Sequence, residues 1–237
     1  MINHANRVIF IHIPKCAGSS VEYYFGVKPF DWKTPNYENL TGWCPKRKIH
    51  LHHATAKQLL ELDLINEKTW KEYTKFTIVR NPWSRVVSDY LWMLKDCGIH
   101  DSFENFILKK GKFKHILNDS ENMSYRGDHI TTQLDFISIN NKIVVDNILK
   151  FENIKSEFPL FLKKVNLATK PLPHDKKGEK FFSHYSHFYK NKELELIRQI
   201  YKSDIKLFNY HFNDKRNELN YSKQIKINVY KHLLKLR

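Results

Sequence analysis

Apolar residues gather in short runs along the chain, set apart by longer polar stretches. "RVIFIHI" (7–13) is β-branched and aromatic and is closed by Pro14, which predicts a buried strand. "KFTIVR" (75–80), ended by Asn-Pro, predicts a second one, and "VDNILKFENI" (145–154) a third that runs into a helix. Helical spacing follows the first two: residues 18–25, with Ser19 and Ser20 at the start, and "WSRVVSDYLWML" (83–94). Further helices are predicted at 55–64, in "SFENFILKK" and over 192–208, and a short strand at "KIHLHH" (48–53). Residues 27–47, with Pro29, Pro35, Gly42 and Pro45, read as loop; 111–128 read as irregular, and 170–188 as a loop rich in Lys, His and aromatics. Strand, tight loop and helix, repeated, open a parallel α/β sheet.

Composition narrows this without changing it. The 237 residues suit one domain, 1–237, ending in a basic helical tail over about 213–237. A 41% hydrophobic share supports a packed core, and no repeat or low-complexity segment interrupts it. The net charge of +15 implies anionic partners: nucleic acid, a phosphorylated cofactor, an acidic glycan or a membrane surface. Three cysteines, widely spaced and without CxxC, argue against a disulfide frame or a zinc site and for a reducing compartment. The first strand starts by residue 7, leaving no signal peptide, and no 18-residue apolar run is present. The expected location is cytoplasmic, with the basic end a candidate peripheral contact with a membrane.

The loop after the first strand, "IPKCAGSS", has the composition of an anion cradle. Gly18 allows close backbone approach, Ser19 and Ser20 add hydroxyls, and Lys15 adds a point charge beside the backbone of Cys16 and Ala17. A nucleotide-hydrolysing P-loop demands G-x-x-x-x-G-K-[ST]; here the first glycine is missing and the lysine precedes Gly18. The second strand ends in Arg80, and Ser88 follows eight residues on. Arg offers a planar fork for a second, separate phosphate.

Together, "IPKCAGSS" and "IVRNPWSRVVS" resemble the two nucleotide-binding signatures of sulfotransferases that use 3′-phosphoadenosine 5′-phosphosulfate (PAPS). "HHATAKQL", "HITTQLDFI", "VDNILKFENI", "LPH" and "IYKSDIKLFNYHF" resemble successive blocks of the carbohydrate, Golgi-related branch and its bacterial relatives. The likeness spans most of residues 7–212. It implies a P-loop-like, three-layer α/β fold with a central parallel sheet flanked by helices. It implies PAPS as donor and adenosine 3′,5′-bisphosphate as product, no metal, and a carbohydrate acceptor such as an acidic glycan or a lipid-linked sugar. In the family the first loop holds the 5′-phosphosulfate and the second element the 3′-phosphate. By resemblance Lys15 meets the charge that grows as the sulfuryl group leaves. The commoner first loop reads P-K-T-G-G-T-S, so Cys16, Ala17 and Ser19 depart from it, and the hydroxyl at 16 is lost.

In-line transfer also needs a base for the acceptor hydroxyl, and histidine titrates in the right range. "HLHHA" offers His50, His52 and His53. His53 matches the family's block best, and His52 is its neighbour alternative. As a strand this segment would put His50 and His52 on one face and His53 on the other. His129, Thr132 and Gln133 resemble a block near the family's cleft and are acceptor-contact candidates. Lys176 and Lys177 fall where the family places a lysine-bearing loop over the nucleotide. Tyr185 and Tyr189 are readable as stacking platforms or as core. Two rival readings are a P-loop kinase using ATP and Mg²⁺, and a nucleic-acid-binding protein, although no nucleic-acid-binding signature supports the latter.

Overall fold

The computed structural model describes residues 1–27, 30–173, 184–218 and 225–229. Lys176 and Lys177 lie outside the described residues. The apolar runs form one four-stranded sheet. Its strands β1 (Ile2–Asn3), β2 (Val8–Ile11), β3 (Thr74–Val79) and β4 (Asn147–Lys150) lie side by side in that order. β2, β3 and β4 are parallel, with Val8 opposite Thr74 and Phe76 opposite Asn147. Only β1 runs antiparallel to its neighbour. β2 is buried along its whole length and β3 from Lys75 onward, as parallel strands covered on both faces must be. Phe76 of β3 stacks on Phe10 of β2 at 4.9 Å and meets the ring of Phe161, tilted, at 4.3 Å. Phe161 belongs to the helix Ile154–Lys164, which packs on β4. The fold is α/β and P-loop-like, a mostly parallel central sheet flanked by helices.

The chain forms two compact units. The first comprises Met1–Arg80, Ser120–Ser124 and Gln133–Asp175, so far as these are described, and holds the sheet. The second comprises Asn81–Asp119, Tyr125–Thr132 and Lys176–Arg237, so far as these are described. Its long helix, Pro82–Asp96, starts where Asn81 Oδ1 accepts from the amides of Trp83 and Ser84 (3.1 and 3.3 Å) and Pro82 pre-sets the first turn. Trp83, Tyr90, Phe106, Phe113, Phe188 and Tyr201 are among the large members of its core.

Several local expectations change, and residues 27–47, expected to be loop, hold a short strand, Trp43–Cys44, paired with Ile49–His50. The strand expected at 48–53 is only Ile49–His50, and Leu51–His53 coils into a 3₁₀ turn closed by the Ala54 amide on the Leu51 carbonyl (3.2 Å). The neighbouring helix, Ala56–Glu61, sets this turn, since Thr55 caps it in a reciprocal box with Gln58. The stretch 111–128, expected to be irregular, carries short helical turns at Gly111–Phe113, Lys114–Asn118 and, from 127, Gly127–Ile130. The helix expected over 192–208 is two, Asn191–Ile200 and Lys202–Leu207. In the expected tail, residues 225–229 are helical. No helix among the described residues is long and apolar enough to cross a membrane.

Candidate active site

The first loop leaves β2 and enters the helix Gly18–Tyr24 through two left-handed residues, Lys15 (φ 67°) and Ala17 (φ 65°). For residues with a Cβ that conformation costs roughly 1 kcal/mol or more each, so neighbouring contacts must hold the loop. Gly18 is forced by sterics. A Cβ there would lie 1.7 Å from His12 Nε2. Lys15, Ala17, Ser19 and Ser20 are half-buried, while Cys16 and Gly18 are buried. The Cys16 thiol turns inward, towards the carbonyl of Pro14 (3.6 Å) and Gln133 Oε1 (3.8 Å).

Arg80, just past β3, reaches the same loop. Its Nη1 donates to the Lys15 carbonyl at 2.9 Å, and its guanidinium lies 4.2 Å over the ring of Phe151. Gln133 is fully buried and braces both signatures. Its Oε1 accepts from the Arg80 amide (2.7 Å), and its Nε2 donates to the Arg80 carbonyl (2.9 Å). The side-chain amide thus pairs with Arg80 as a neighbouring strand would. Lys15 and Arg80, two cations, stand with the hydroxyls of Ser19 and Ser20 on one short stretch of framework. That donor set suits a ligand carrying more than one phosphate or sulfate group.

The 3₁₀ turn brings the histidines together instead of alternating them. The rings of His52 and His53 are 4.2 Å apart, and His50 lies 5.5 Å from His52 and 6.3 Å from His53. A fourth, His12, joins them. It meets His53 edge-on at 4.9 Å, and its Nδ1 sits 2.8 Å from Glu22 Oε1. The side chains of His12 and Glu22 are 8% and 1% exposed. The sequence reading missed this pair. One available signal was an acid, Glu22, within the apolar run of a helix that follows a buried strand carrying a histidine.

Of the other candidates, Gln133 belongs to the first unit, whereas Ser88, His129 and Thr132 belong to the second. Ser88 is half-buried on Pro82–Asp96, next to Asp89. Buried His129 holds Asp89 Oδ1 with its Nδ1 at 2.7 Å and stacks on Trp92 at 4.5 Å. The second oxygen of Asp89 is buried with no hydrogen-bond partner among the described residues. Arg85, also buried, donates to the carbonyls of Thr131 (2.9 Å) and His129 (2.6 Å), fixing this turn from inside. Asp89 and Arg85 are further residues that the sequence reading passed over. Of the two aromatics with two readings, Tyr189 is core, 3% exposed with its hydroxyl on the Trp83 carbonyl (2.8 Å), and Tyr185 packs against the same cluster.

The model of the sulfotransferase family matches residues 1–211. A protein of Archaeoglobus fulgidus, itself described as uncharacterized, is 28% identical over 104 residues, 44% of this chain and 76% of that one. No solved structure matches. The match takes in the strained loop, Arg80, the histidine turn and the Asp89–His129 pair, and over that span the chain belongs to the sulfotransferase family, enzymes that transfer a sulfuryl group to an acceptor.

Proposed function

We propose that this sulfotransferase takes its sulfuryl group from PAPS and delivers it to a carbohydrate hydroxyl, with His53 as base. The observation that carries the reading is the joining of the two signatures, where Arg80 hydrogen-bonds the carbonyl of Lys15 and Gln133 braces both. PAPS supplies an activated sulfuryl group on a phosphate leaving group and a 3′-phosphate as a separate handle. Lys15, the loop backbone from Ala17 to Gly18, Ser19 and Ser20 fit the phosphosulfate end, and Arg80 the 3′-phosphate. Cys16, turned inward, shapes the loop, and Gln133 positions Arg80. His129 and Thr132, both on the second unit, are proposed as acceptor contacts.

The chemistry follows from positioning and charge. His53 accepts the proton of the acceptor hydroxyl, while His52, in ring contact with it, is the alternative base. The Lys15 ammonium holds the negative charge that builds on the leaving phosphate. None of these steps calls on a metal. A polyanionic glycan fits the +15 charge of the chain.

The test is thermal unfolding with adenosine 3′,5′-bisphosphate, ADP or ATP–Mg²⁺. A ligand at a hundredfold excess over its Kd adds about 2.7 kcal/mol, which for this size raises Tm by about 5–10 °C. The bisphosphate alone is expected to give that shift. A shift with ATP–Mg²⁺ and none with the bisphosphate would replace the PAPS reading with a kinase.

A further inference from the structure

Glu22 is an acid where a helix normally carries a hydrophobic side chain. It is 1% exposed, on the same short helix as buried Gly18 and Val21. A carboxylate withdrawn from water needs a hydrogen-bonded partner, and a pair of this kind is weak as a source of stability, since apolar residues would fill the space as well. Its position shows what else it does. An ionised carboxylate only accepts hydrogen bonds, so the His12 nitrogen 2.8 Å away, Nδ1, carries the proton. The remaining nitrogen, Nε2, lies against Gly18, where a Cβ would come within 1.7 Å. One ring face stacks on Phe10 at 5.5 Å, and His53 meets the ring at 4.9 Å, nearly perpendicular at 86°. His12 is therefore held by an acid, a glycine and a phenylalanine, and touches both the first loop and the histidine turn.

We propose that Glu22 and His12 form a positioning pair for the transfer step. Glu22 fixes the tautomer and tilt of His12. His12 holds the His53 ring in the orientation from which it takes the acceptor proton, and the Glu22 charge balances the positive charge that gathers on His53. The inference rests on the reading of His53 as base. The balance is simple: the acceptor oxygen forms a bond to sulfur, and the sulfur–oxygen bond to the bisphosphate breaks with its electron pair on the leaving phosphate. The acceptor proton ends on His53, and none leaves His12 or Glu22.

Glu22→Gln keeps the shape and an acceptor oxygen for Nδ1 and removes only the charge. Turnover is read as adenosine 3′,5′-bisphosphate released from PAPS, with desulfated chondroitin as the acceptor probe and the slower transfer to water as a second acceptor. The expected result is a kcat lower by about 10- to 100-fold, the range for removing an outer partner that orients a working side chain, with the KM for PAPS within about twofold. Normal kcat would overturn the proposal. So would a raised KM at normal kcat, which would make the pair a brace of the first loop only. Binding of adenosine 3′,5′-bisphosphate reports whether the variant is folded. If Glu22→Gln does not bind it, His12→Asn, which keeps a donor near the Nδ1 position but lacks the ring, decides by the same criteria. His53→Ala runs in parallel. If it turns over normally, the base reading and this inference fall together. If it is slow while Glu22→Gln and His12→Asn are normal, only the inference falls.

Discussion

At the scale of single residues, the first loop sets strain against function. Lys15 and Ala17 both hold left-handed backbone, but only Lys15 has a charge to contribute. Ala17→Gly should relieve one strained position and stabilise the fold by about 0.5–1 kcal/mol, or about 1–4 °C in Tm. The same change should loosen the loop and weaken adenosine 3′,5′-bisphosphate binding; calorimetry together with thermal melts reads both. Lys15→Ala keeps a Cβ, and with it the strain of a φ of 67°, so its Tm should barely move. Its transfer rate should nonetheless fall by about a hundredfold or more, the scale of losing one charge-stabilising group. A Lys15→Ala enzyme of near-normal kcat would remove Lys15 from the chemistry.

At the scale of elements, the histidine turn owes its form to the helix beside it. Thr55 and Gln58 exchange hydrogen bonds of 3.1 and 2.9 Å across the first turn of Ala56–Glu61, two residues after His53. Thr55→Ala should cost about 1 kcal/mol, about 2–4 °C in Tm. It should also lower kcat while leaving bisphosphate affinity unchanged, because the histidines lose their anchor and the first loop does not; steady-state kinetics with PAPS separates the two. The helix itself was readable over 55–64, as were the buried strands in "VIFI" and "FTIV", where local pattern and final burial agree. The shape of "HLHH" was not, because alternation over six residues looks like a strand until the neighbouring cap takes over the last three. Gln133 read as a cleft residue for a similar reason. Its amide is spent on the backbone of a residue 53 positions away, and no local pattern reports such a distant partner. The Glu22–His12 pair spans ten residues across a tight loop, too far for helical or strand spacing to flag.

At the scale of the molecule, the formal charge of +15 is the feature that acts furthest from its atoms. An excess this large draws polyanions from solution, and salt weakens the attraction: the screening length falls from about 30 Å at about 0.01 M to about 8 Å at about 0.15 M. The KM for a polyanionic glycan should therefore rise several-fold over that range, while the KM for a neutral oligosaccharide carrying the same acceptor hydroxyl stays nearly constant. Equal salt dependence for the two would mean that the charge serves the donor alone.

The pairing of Gln133 with Arg80 also bears on how the enzyme is made. Synthesis runs from the first residue onward, and β2, β3 and the loop between β2 and its helix are all in place by residue 80. The amide that fixes Arg80 emerges 53 residues later, and β4 later still. A nascent or truncated chain ending before Gln133 holds every residue of both signatures and lacks the side-chain amide that pairs with the Arg80 backbone, so the full bracing of Arg80 arrives late in translation.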